Sequence, residues 1–156
     1  MSRATGAPGP AGIDIDLPPG WSPTVHEGPV ALVARPQAWP GGFTPTITVT
    51  TSATPGVATL AEYCDAQLDG VATTVGGHLV HLATSHRPRA HLDLTLAIEQ
   101  VGVDLTVAQR HLVDPPGPDG SGCVAVVATA VAADRDWPQL APALVAAVRS
   151  VRSVGP

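Results

Sequence analysis

Alternation of apolar and polar residues predicts that much of this chain is β-sheet. The clearest case is residues 91–99, where four aliphatic side chains alternate with His, Asp, Thr, Ala and Glu. Successive side chains of a strand point to opposite faces, so one face of this strand is buried and the other is polar. Residues 123–132 are almost continuously apolar, which is typical of a central strand covered on both faces. The predicted strands span residues 13–17, 30–34, 44–52, 78–86, 91–99, 105–113 and 123–132.

Two stretches with apolar residues three and four positions apart predict amphipathic helices. The first follows Thr59 and Glu62, a capping box in which side chains satisfy backbone N–H groups at the helix start. Its apolar stripe contains Leu60, Tyr63, Cys64, Leu68, Val71 and Val75, and Gly76-Gly77 ends it. The second helix begins after Asp136 as N-cap. Its stripe contains Trp137, Leu140, Leu144, Val148 and Val151.

The order of these elements indicates the α+β class. It reads three strands, a helix, four strands and a helix, and strands in hairpin succession form antiparallel sheets. We therefore expect a single, largely antiparallel sheet of six to seven strands packed by two main helices. In this interpretation residues 13–154 form one domain. Residues 1–12 are rich in Gly, Pro and Ala without periodicity, which predicts a disordered tail.

The low charge of the chain restricts what it can bind. Its net charge is -5, its eight basic residues are all arginine, and 13% of its residues are charged. A protein that binds nucleic acid needs a basic face against the phosphates, so we expect no nucleic-acid partner. The charged fraction is about half of the usual ~25%. Either Thr, Ser, Gly and Pro keep the surface soluble, or a partner covers part of it.

The start of the chain and its cysteines indicate the cytoplasm. The opening MSRATGAPGPAGIDID has no apolar stretch of the kind found in secretory signals. The longest apolar run, residues 123–133, is well short of the ~18–20 residues that span a bilayer, so no membrane span is expected. Cys64 and Cys123 are therefore predicted to be free thiols and not a disulfide.

No sequence motif carries catalytic or cofactor chemistry. Without lysine there is no GxxxxGK[ST] phosphate loop, and no GxGxxG follows a predicted strand. Ser121 or Cys123 would need a nearby histidine and acid to act as a nucleophile, and the glycines around them suit a hairpin loop equally well. We therefore expect no enzyme, no cofactor and no metal.

Histidines from different strands give one catalytic alternative, and a carboxylate pair that folding would bring together from Asp104, Asp114, Asp119, Asp134 and Asp136 is another. His81, His91 and His111 could meet across the sheet, together with Asp93 or Asp104. No cysteine or carboxylate spacing supports a metal among them. A cleft in which these ionisable groups cluster would favour an enzyme.

Threonines and arginines are the candidate partner-binding residues. Thr46, Thr48 and Thr50 alternate with other residues and so lie on one face of their strand, where β-branched hydroxyl side chains suit a sheet face open to water. Arg87 and Arg89 form a small basic cluster in a turn between two strands, where an ordinary solvated turn is the alternative. The partner expected from these features is another protein, and homodimerisation is left open.

Six segments, by their order and spacing, carry a family resemblance. They are Pro18-Pro19-Gly20-Trp21, FTPTITVT from Phe43, TLAEYCDAQL from Thr59, HLDLTLAIEQ from His91, VDLTVAQRHLV from Val103 and DWPQLAPALVAAVRSVR from Asp136. Over roughly residues 13–152 the chain resembles the PsbP-like α/β/α sandwich superfamily. Within that superfamily it is similar to the actinobacterial LpqN/LpqT-type and the DcrB/Eag-type small proteins.

The resemblance implies a module without catalysis. Members of this superfamily act as accessory subunits, adaptors or chaperones for secretion effectors, and they bind other proteins with one sheet face. We therefore expect a protein-binding adaptor or chaperone, for a secretion or membrane-associated complex. The alternative is a carrier of lipid or another small apolar ligand, with a pocket between sheet and helices. An enclosed apolar cavity would favour the carrier, and a solid core with an exposed face would favour the adaptor.

Overall fold

The computed structural model describes residues 2–6, 12–100, 102–116 and 122–154. The strands in these residues are β1 (Ser2–Gly6), β2 (Gly12–Leu17), β3 (Trp21–Val25), β4 (Val30–Pro36), β5 (Thr46–Thr54), β6 (Gly77–Ser85), β7 (His91–Gln100), β8 (Val103–Asp114), β9 (Cys123–Ala133) and β10 (Arg152–Val154). The helices are α1 (Leu60–Thr73) and α2 (Trp137–Arg149).

Seven antiparallel strands form the main sheet, in the order β3-β4-β5-β9-β8-β7-β6. Strand β9 lies at its centre, as its nearly continuous apolar sequence predicts. The structure confirms the α+β class, the largely antiparallel sheet and the two main helices. Six of the seven strands in this sheet, all except β3, are predicted by the sequence.

Helix α1 lies on one face of the main sheet, which we call the α1 face. It connects β5 to the edge strand β6 and so passes over the strands between them. The predicted capping box is present, since the Thr59 hydroxyl accepts a hydrogen bond from the Glu62 backbone N–H at 3.1 Å. The hydrophobic cluster under α1 contains Leu60, Tyr63, Leu92, Leu94, Val113, Cys123, Ala125 and Val127.

The turn after α1 needs glycine at position 76. Gly76 has φ of 75°, and a Cβ there would lie 2.4 Å from the backbone oxygen of Glu99. Only glycine avoids both the strained dihedral and the clash. The predicted apolar stripe of α1 is wrong at Val75. The helix ends at Thr73, and the Val75 side chain is 94% exposed.

The opposite face, the α2 face, is covered by α2 and a second sheet. This sheet has three antiparallel strands in the order β1-β2-β10. Its central strand β2 is the predicted strand 13–17, which therefore lies outside the main sheet. The cluster on this face includes Ile13, Ile15, Leu17, Trp21, Leu32, Ile47, Val49, Ala128, Ala130, Leu144, Ala147, Val148 and Val151.

Three short strands contradict or extend the sequence prediction. Residues 2–6 form β1, where a disordered tail is predicted, and residues 7–11 of that tail lie outside the described residues. Strands β3 and β10 are not predicted either. Each has five residues or fewer, which is too short for period-two alternation to be recognised, and each pairs with a longer neighbour.

Both edges of the main sheet are irregular. Strand β3 at one edge contains Pro23, which has no N–H to offer a further strand. Strand β6 at the other edge has a bulge at Val80, between the residue pairs formed by Leu79 and His81 with β7. Prolines and bulges at sheet edges hinder the addition of another strand. The faces of this sheet are therefore better placed than its edges to bind a partner.

Candidate interaction surface

Strand register brings four threonines together on the α1 face. Thr46, Thr48 and Thr50 of β5 lie on this face, as the sequence alternation predicts. Thr129 of β9 is paired with Thr48, and Gln109 of β8 is paired with Thr129. We call Thr46, Thr48, Thr50 and Thr129 the threonine surface. Thr129 was not predicted, because only the register between strands places it beside Thr48.

The threonine surface is uncharged and only partly covered. Its four side chains, and those of Val33 and Val131 beside them, are partly exposed. Strands β5 and β9 contain no Asp, Glu, Lys or Arg. The apolar side chains of Val33 and Val131 belong to neither hydrophobic cluster of the described residues, and the cluster under α1 includes no residue of β4 or β5. This part of the α1 face is thus available for contact.

A chain of hydrogen bonds connects the threonine surface to a buried tyrosine under α1. The Tyr63 hydroxyl donates to Nδ1 of His111 at 2.6 Å. His111 Nε2 donates to Oε1 of Gln109 at 2.8 Å, and Gln109 Nε2 donates to the Thr129 hydroxyl at 3.1 Å. The Gln109 oxygen can only accept, so His111 carries its proton on Nε2 and accepts at Nδ1. Every polar atom of the buried imidazole is therefore satisfied in its neutral form.

Burial determines the ionisation of His111 and Tyr63, the two titratable groups in this chain of hydrogen bonds. Loss of solvent lowers the pKa of His111 to about 4, against the weaker opposing effect of the Asp93 carboxylate on β7. Burial, with a smaller contribution from Cys123, raises the pKa of Tyr63 to about 12. At neutral pH both rings are uncharged. The pair therefore has the properties of a structural element, with neither a free acid nor a free base.

Replacing Tyr63 with phenylalanine is expected to lower the free energy of unfolding by about 1–3 kcal/mol. The substitution removes the donor to Nδ1 of His111 and leaves that buried nitrogen without its partner. Urea unfolding at pH 7.5 measures the effect. Thr129→Val, which removes only the partly exposed end of the chain, is the matched control and should cost less. If both variants lost the same free energy of unfolding, the hydrogen bond from Tyr63 to His111 would not be the important one in this chain.

The predicted arginines lie apart from the threonines. Arg87 is exposed in the turn between β6 and β7. Arg89 is partly buried and forms an ion pair with Asp114, whose β8 position lies on the α2 face. The five predicted partner-binding residues thus do not form one site, because alternation along each strand says nothing of which faces of distant strands coincide.

The structure does not bring the three candidate histidines together. His111 lies on the α1 face, whereas His81 and His91 lie on the α2 face. Asp93 is near His91, but Asp104 pairs with Glu99 at the opposite end of β7. Among the described residues, no group of three or more His, Cys, Asp or Glu is arranged to hold a metal ion.

The candidate nucleophiles provide no activated group. Ser121 lies outside the described residues. Cys123 is buried, and burial, followed by the charge of Glu62, raises the pKa of its thiol. Burial, followed by the charge of Asp65, raises that of Cys64 too. Both cysteines are free, as predicted. A raised pKa favours the thiol, and the thiolate is the reactive form.

The larger cavities formed by the described residues lie at the rims of the protein, and a small one of about 60 Å³ lies between α2 and the middle of β7 and β8. The loops beyond β4, β7 and β9 enclose about 510 Å³, lined by Phe43, Val103, Asp104, Asp134 and Arg135 among others. A second cavity of about 280 Å³ lies between α1 and β6. A third of about 370 Å³ lies beside the C-terminal end of α2. In the described part of the chain, neither helix has the length and apolar character needed to cross a membrane.

Several solved structures resemble this one, among them LpqN, PA94 and CyanoP, although no family model matches the sequence and no curated protein matches it significantly. LpqN, involved in cell envelope biogenesis of Mycobacterium tuberculosis, superposes with a TM-score of 0.72 at 18% identity, over 98% of this chain and 91% of LpqN. PA94 of Pseudomonas aeruginosa, a protein of unknown function suggested to be a regulator, gives 0.57 at 18% identity over 83% of each chain.

The third is the cyanobacterial PsbP, CyanoP, of Synechocystis sp. PCC 6803, with a TM-score of 0.59 at 14% identity, over 90% of this chain and 85% of CyanoP. None of these proteins is named for an enzymatic activity. At these identities the similarity concerns the fold, and the expected family resemblance is confirmed at that level. The chain therefore has a PsbP-like fold, in an arrangement similar to that of LpqN.

Proposed function

We propose that this protein is a non-enzymatic adaptor or chaperone that binds another protein through the threonine surface. The observation that carries the proposal is an uncharged, partly exposed area on the central strands of the sheet, outside both hydrophobic clusters of the described residues. Thr46, Thr48 and Thr50 keep the role suggested by the sequence, and Thr129 joins them.

The side chains of this surface are suited to contact with a protein. The centres of protein interfaces are depleted of charged residues, and covering uncharged side chains avoids the cost of removing water from ions. Threonine and valine are β-branched and have few rotamers, so little side-chain entropy is lost when a partner orders them. The surface therefore fits a flat, uncharged partner surface, with hydroxyl groups available for hydrogen bonds.

The setting proposed for this adaptor is a secretion or membrane-associated complex, reached from the cytoplasm. The free thiols of Cys64 and Cys123 support a reducing compartment. The similarity to LpqN, which is involved in cell envelope biogenesis, supports a link to the envelope. Arg87 is exposed near the opposite edge and is proposed as a secondary contact only.

Replacing Thr48 with glutamate is expected to weaken partner binding at least about tenfold, since an unpaired charge would be buried at the centre of the contact. Thr84→Glu is the matched control, because Thr84 is an exposed strand threonine at the far edge of the same sheet. Crosslinking, affinity capture and mass spectrometry compare both variants with the natural chain. The expected result is one protein captured by the natural chain and by Thr84→Glu but lost with Thr48→Glu. Undiminished capture by a folded Thr48→Glu protein would refute the assignment.

The carrier alternative would have to use a cavity at the rim of the protein that falls short of an enclosed apolar pocket. The cavity of about 280 Å³ between α1 and β6 is lined by Leu60, Cys64 and Leu82, together with the polar Asp65, Thr84 and His86. Ligand sites usually occupy about 300–1,000 Å³ and bury most of the ligand. If the natural chain binds a fluorescent fatty acid and the Leu82→Glu variant does not, the proposed function changes from adaptor to carrier.

A further inference from the structure

Four arginines surround the cavity of about 370 Å³ at the C-terminal end of α2. They are Arg89, Arg110, Arg149 and Arg152, which is half of the eight arginines in the chain. They come from the turn before β7, from β8, from α2 and from β10, so only the fold brings them together. His91 also lines this cavity. Such a concentration is unexpected in a chain with a net charge of -5.

The carboxylates that accompany these arginines do not line the cavity. Asp93 accepts two hydrogen bonds from Arg110, each 2.8 Å long. On β2, Asp14 and Asp16 lie 2.9 Å and 3.4 Å from Nη2 of Arg152. No Asp or Glu of the described residues is among those that line the cavity. The aspartates therefore orient the guanidinium groups without closing the space between them.

Two of the arginines also neutralise the negative end of helix α2. Arg110 donates through Nη1 to the backbone oxygen of Arg149 at 3.0 Å. Arg152 donates through Nη1 to that of Ser150 at 2.8 Å. The last carbonyl groups of a helix carry its partial negative charge, which would otherwise repel an anion. With these carbonyl oxygens engaged, the helix end repels an anion in the cavity less strongly.

The remaining polar groups of the cavity have donors to spare. Arg149 has a side chain 53% exposed, and its contact with a charged group is a long ion pair of 4.0 Å to Asp93. Arg89 has a side chain 32% exposed and bonds Asp114 through Nη2 alone among the described contacts. A guanidinium carries five N–H groups, so both arginines retain several. His91 donates from Nδ1 to the backbone oxygen of Arg89 at 2.8 Å, so Nε2 of the neutral ring is an acceptor and the donors for an anion are those of the arginines.

We propose that this cavity binds the phosphate group of a small organic phosphate. Phosphate offers several acceptor oxygens and up to two negative charges, and the planar fork of arginine matches that geometry. The cavity lies within the usual size range of small-molecule sites, so it has room for an organic group besides the phosphate. It faces the α2 side of the sheet, so occupation of it is independent of the threonine surface.

Titration of the ¹⁵N-labelled protein with sn-glycerol 3-phosphate and with inorganic phosphate, at constant ionic strength, tests this site by NMR. We expect saturable shifts confined to residues 88–91, 110–112 and 149–153, with glycerol 3-phosphate tighter than inorganic phosphate. Vesicles of phosphatidylglycerol form a third arm. Stronger binding to the vesicles than to glycerol 3-phosphate would overturn the assignment to a small phosphate and indicate a lipid headgroup.

Arg149→Gln is expected to raise the dissociation constant at least about fivefold, which corresponds to about 1 kcal/mol. Because the Arg149 side chain is exposed, this variant is expected to fold, and Arg89→Gln repeats the test at a second position. Arg135→Gln is the control, since Arg135 has a side chain 71% exposed and lies at the other end of α2. Absence of saturable shifts, or equal binding by Arg149→Gln and Arg135→Gln, would overturn the proposal. Thr48→Glu should leave these shifts unchanged, so this test and that of the adaptor can fail separately.

Discussion

Replacing Leu94 with alanine is expected to lower the free energy of unfolding by about 2–5 kcal/mol. The Leu94 side chain is 3% exposed and belongs to the hydrophobic cluster under α1. It lies between Leu82 on β6 and Gln109 on β8, in the middle of strand β7. Truncation there removes buried methyl groups and leaves a cavity that the two neighbouring strands, β6 and β8, cannot easily close.

Leu79→Ala is the matched control for this prediction. The same side chain is removed from the neighbouring strand β6, on the same face, but Leu79 is 45% exposed. Its loss should therefore cost less than half as much, because less apolar area returns to water. Urea unfolding followed by circular dichroism measures both variants. A cost below about 1 kcal/mol for Leu94→Ala would show that the faces of β7 are inverted.

Acidification from about pH 7 to pH 4.5 is expected to remove about 2–3 kcal/mol of folding stability through His111 alone. The pKa of this histidine is about 4 in the fold and about 6.5 in the unfolded chain. Between those values the unfolded chain binds a proton that the folded protein excludes. Stability from the neutral imidazole is therefore complete above about pH 6.5 and is lost as the pH falls towards 4.

The neighbouring carboxylate titrates outside this pH range. Interaction with Arg110, and to a lesser degree with Arg149 and His91, lowers the pKa of Asp93 from 3.8, in spite of the opposing and largest effect of its burial. Its contribution to stability is therefore lost only at more acidic pH. Asp93 therefore does not account for the loss of stability expected above pH 4.5, and His111 is the buried one among the described histidines.

His111→Gln separates this contribution from the others. Glutamine can accept from Tyr63 and donate to Gln109 but does not titrate, so the free energy of unfolding should change less with pH in this variant. In His26→Gln, at an exposed position before β4, the free energy of unfolding should depend on pH as strongly as in the natural chain. Urea unfolding of the three proteins at a series of pH values gives the slopes. A pH dependence in His111→Gln equal to that of the natural chain would refute the role of His111.

The long strands could be predicted because apolar and polar residues alternate along them, as expected for a sheet with one buried and one exposed face. Residues 91–99 and the threonines of β5 are such cases. Strand β9 is recognisable for a different reason, since clusters on both faces use its apolar side chains. Short strands such as β1 and β10 depend on pairing with β2, and pairing has no local signal.

The candidate sites could be predicted only in part, because each depends on register between distant segments. Thr48 is visible in the sequence as part of a polar face, but its neighbour Thr129 lies in an apolar run. The hydrogen bond from Tyr63 to His111 joins a helix to a strand 48 positions away. Among the arginines that line the cavity at the C-terminal end of α2, the sequence makes Arg89 a candidate for partner binding. Arg152 reaches the same cavity from the last strand and has no such signal.

The irregular edges of the main sheet have a consequence for the behaviour of the protein in solution. A sheet of seven strands with an uncharged patch could lengthen strand by strand into a fibre if its edges were regular. Pro23 interrupts hydrogen bonding at one border, and the bulge at Val80 distorts the other. Polymerisation is thus hindered in both directions. The chain can therefore leave the uncharged threonine surface exposed at high concentration without joining edge to edge.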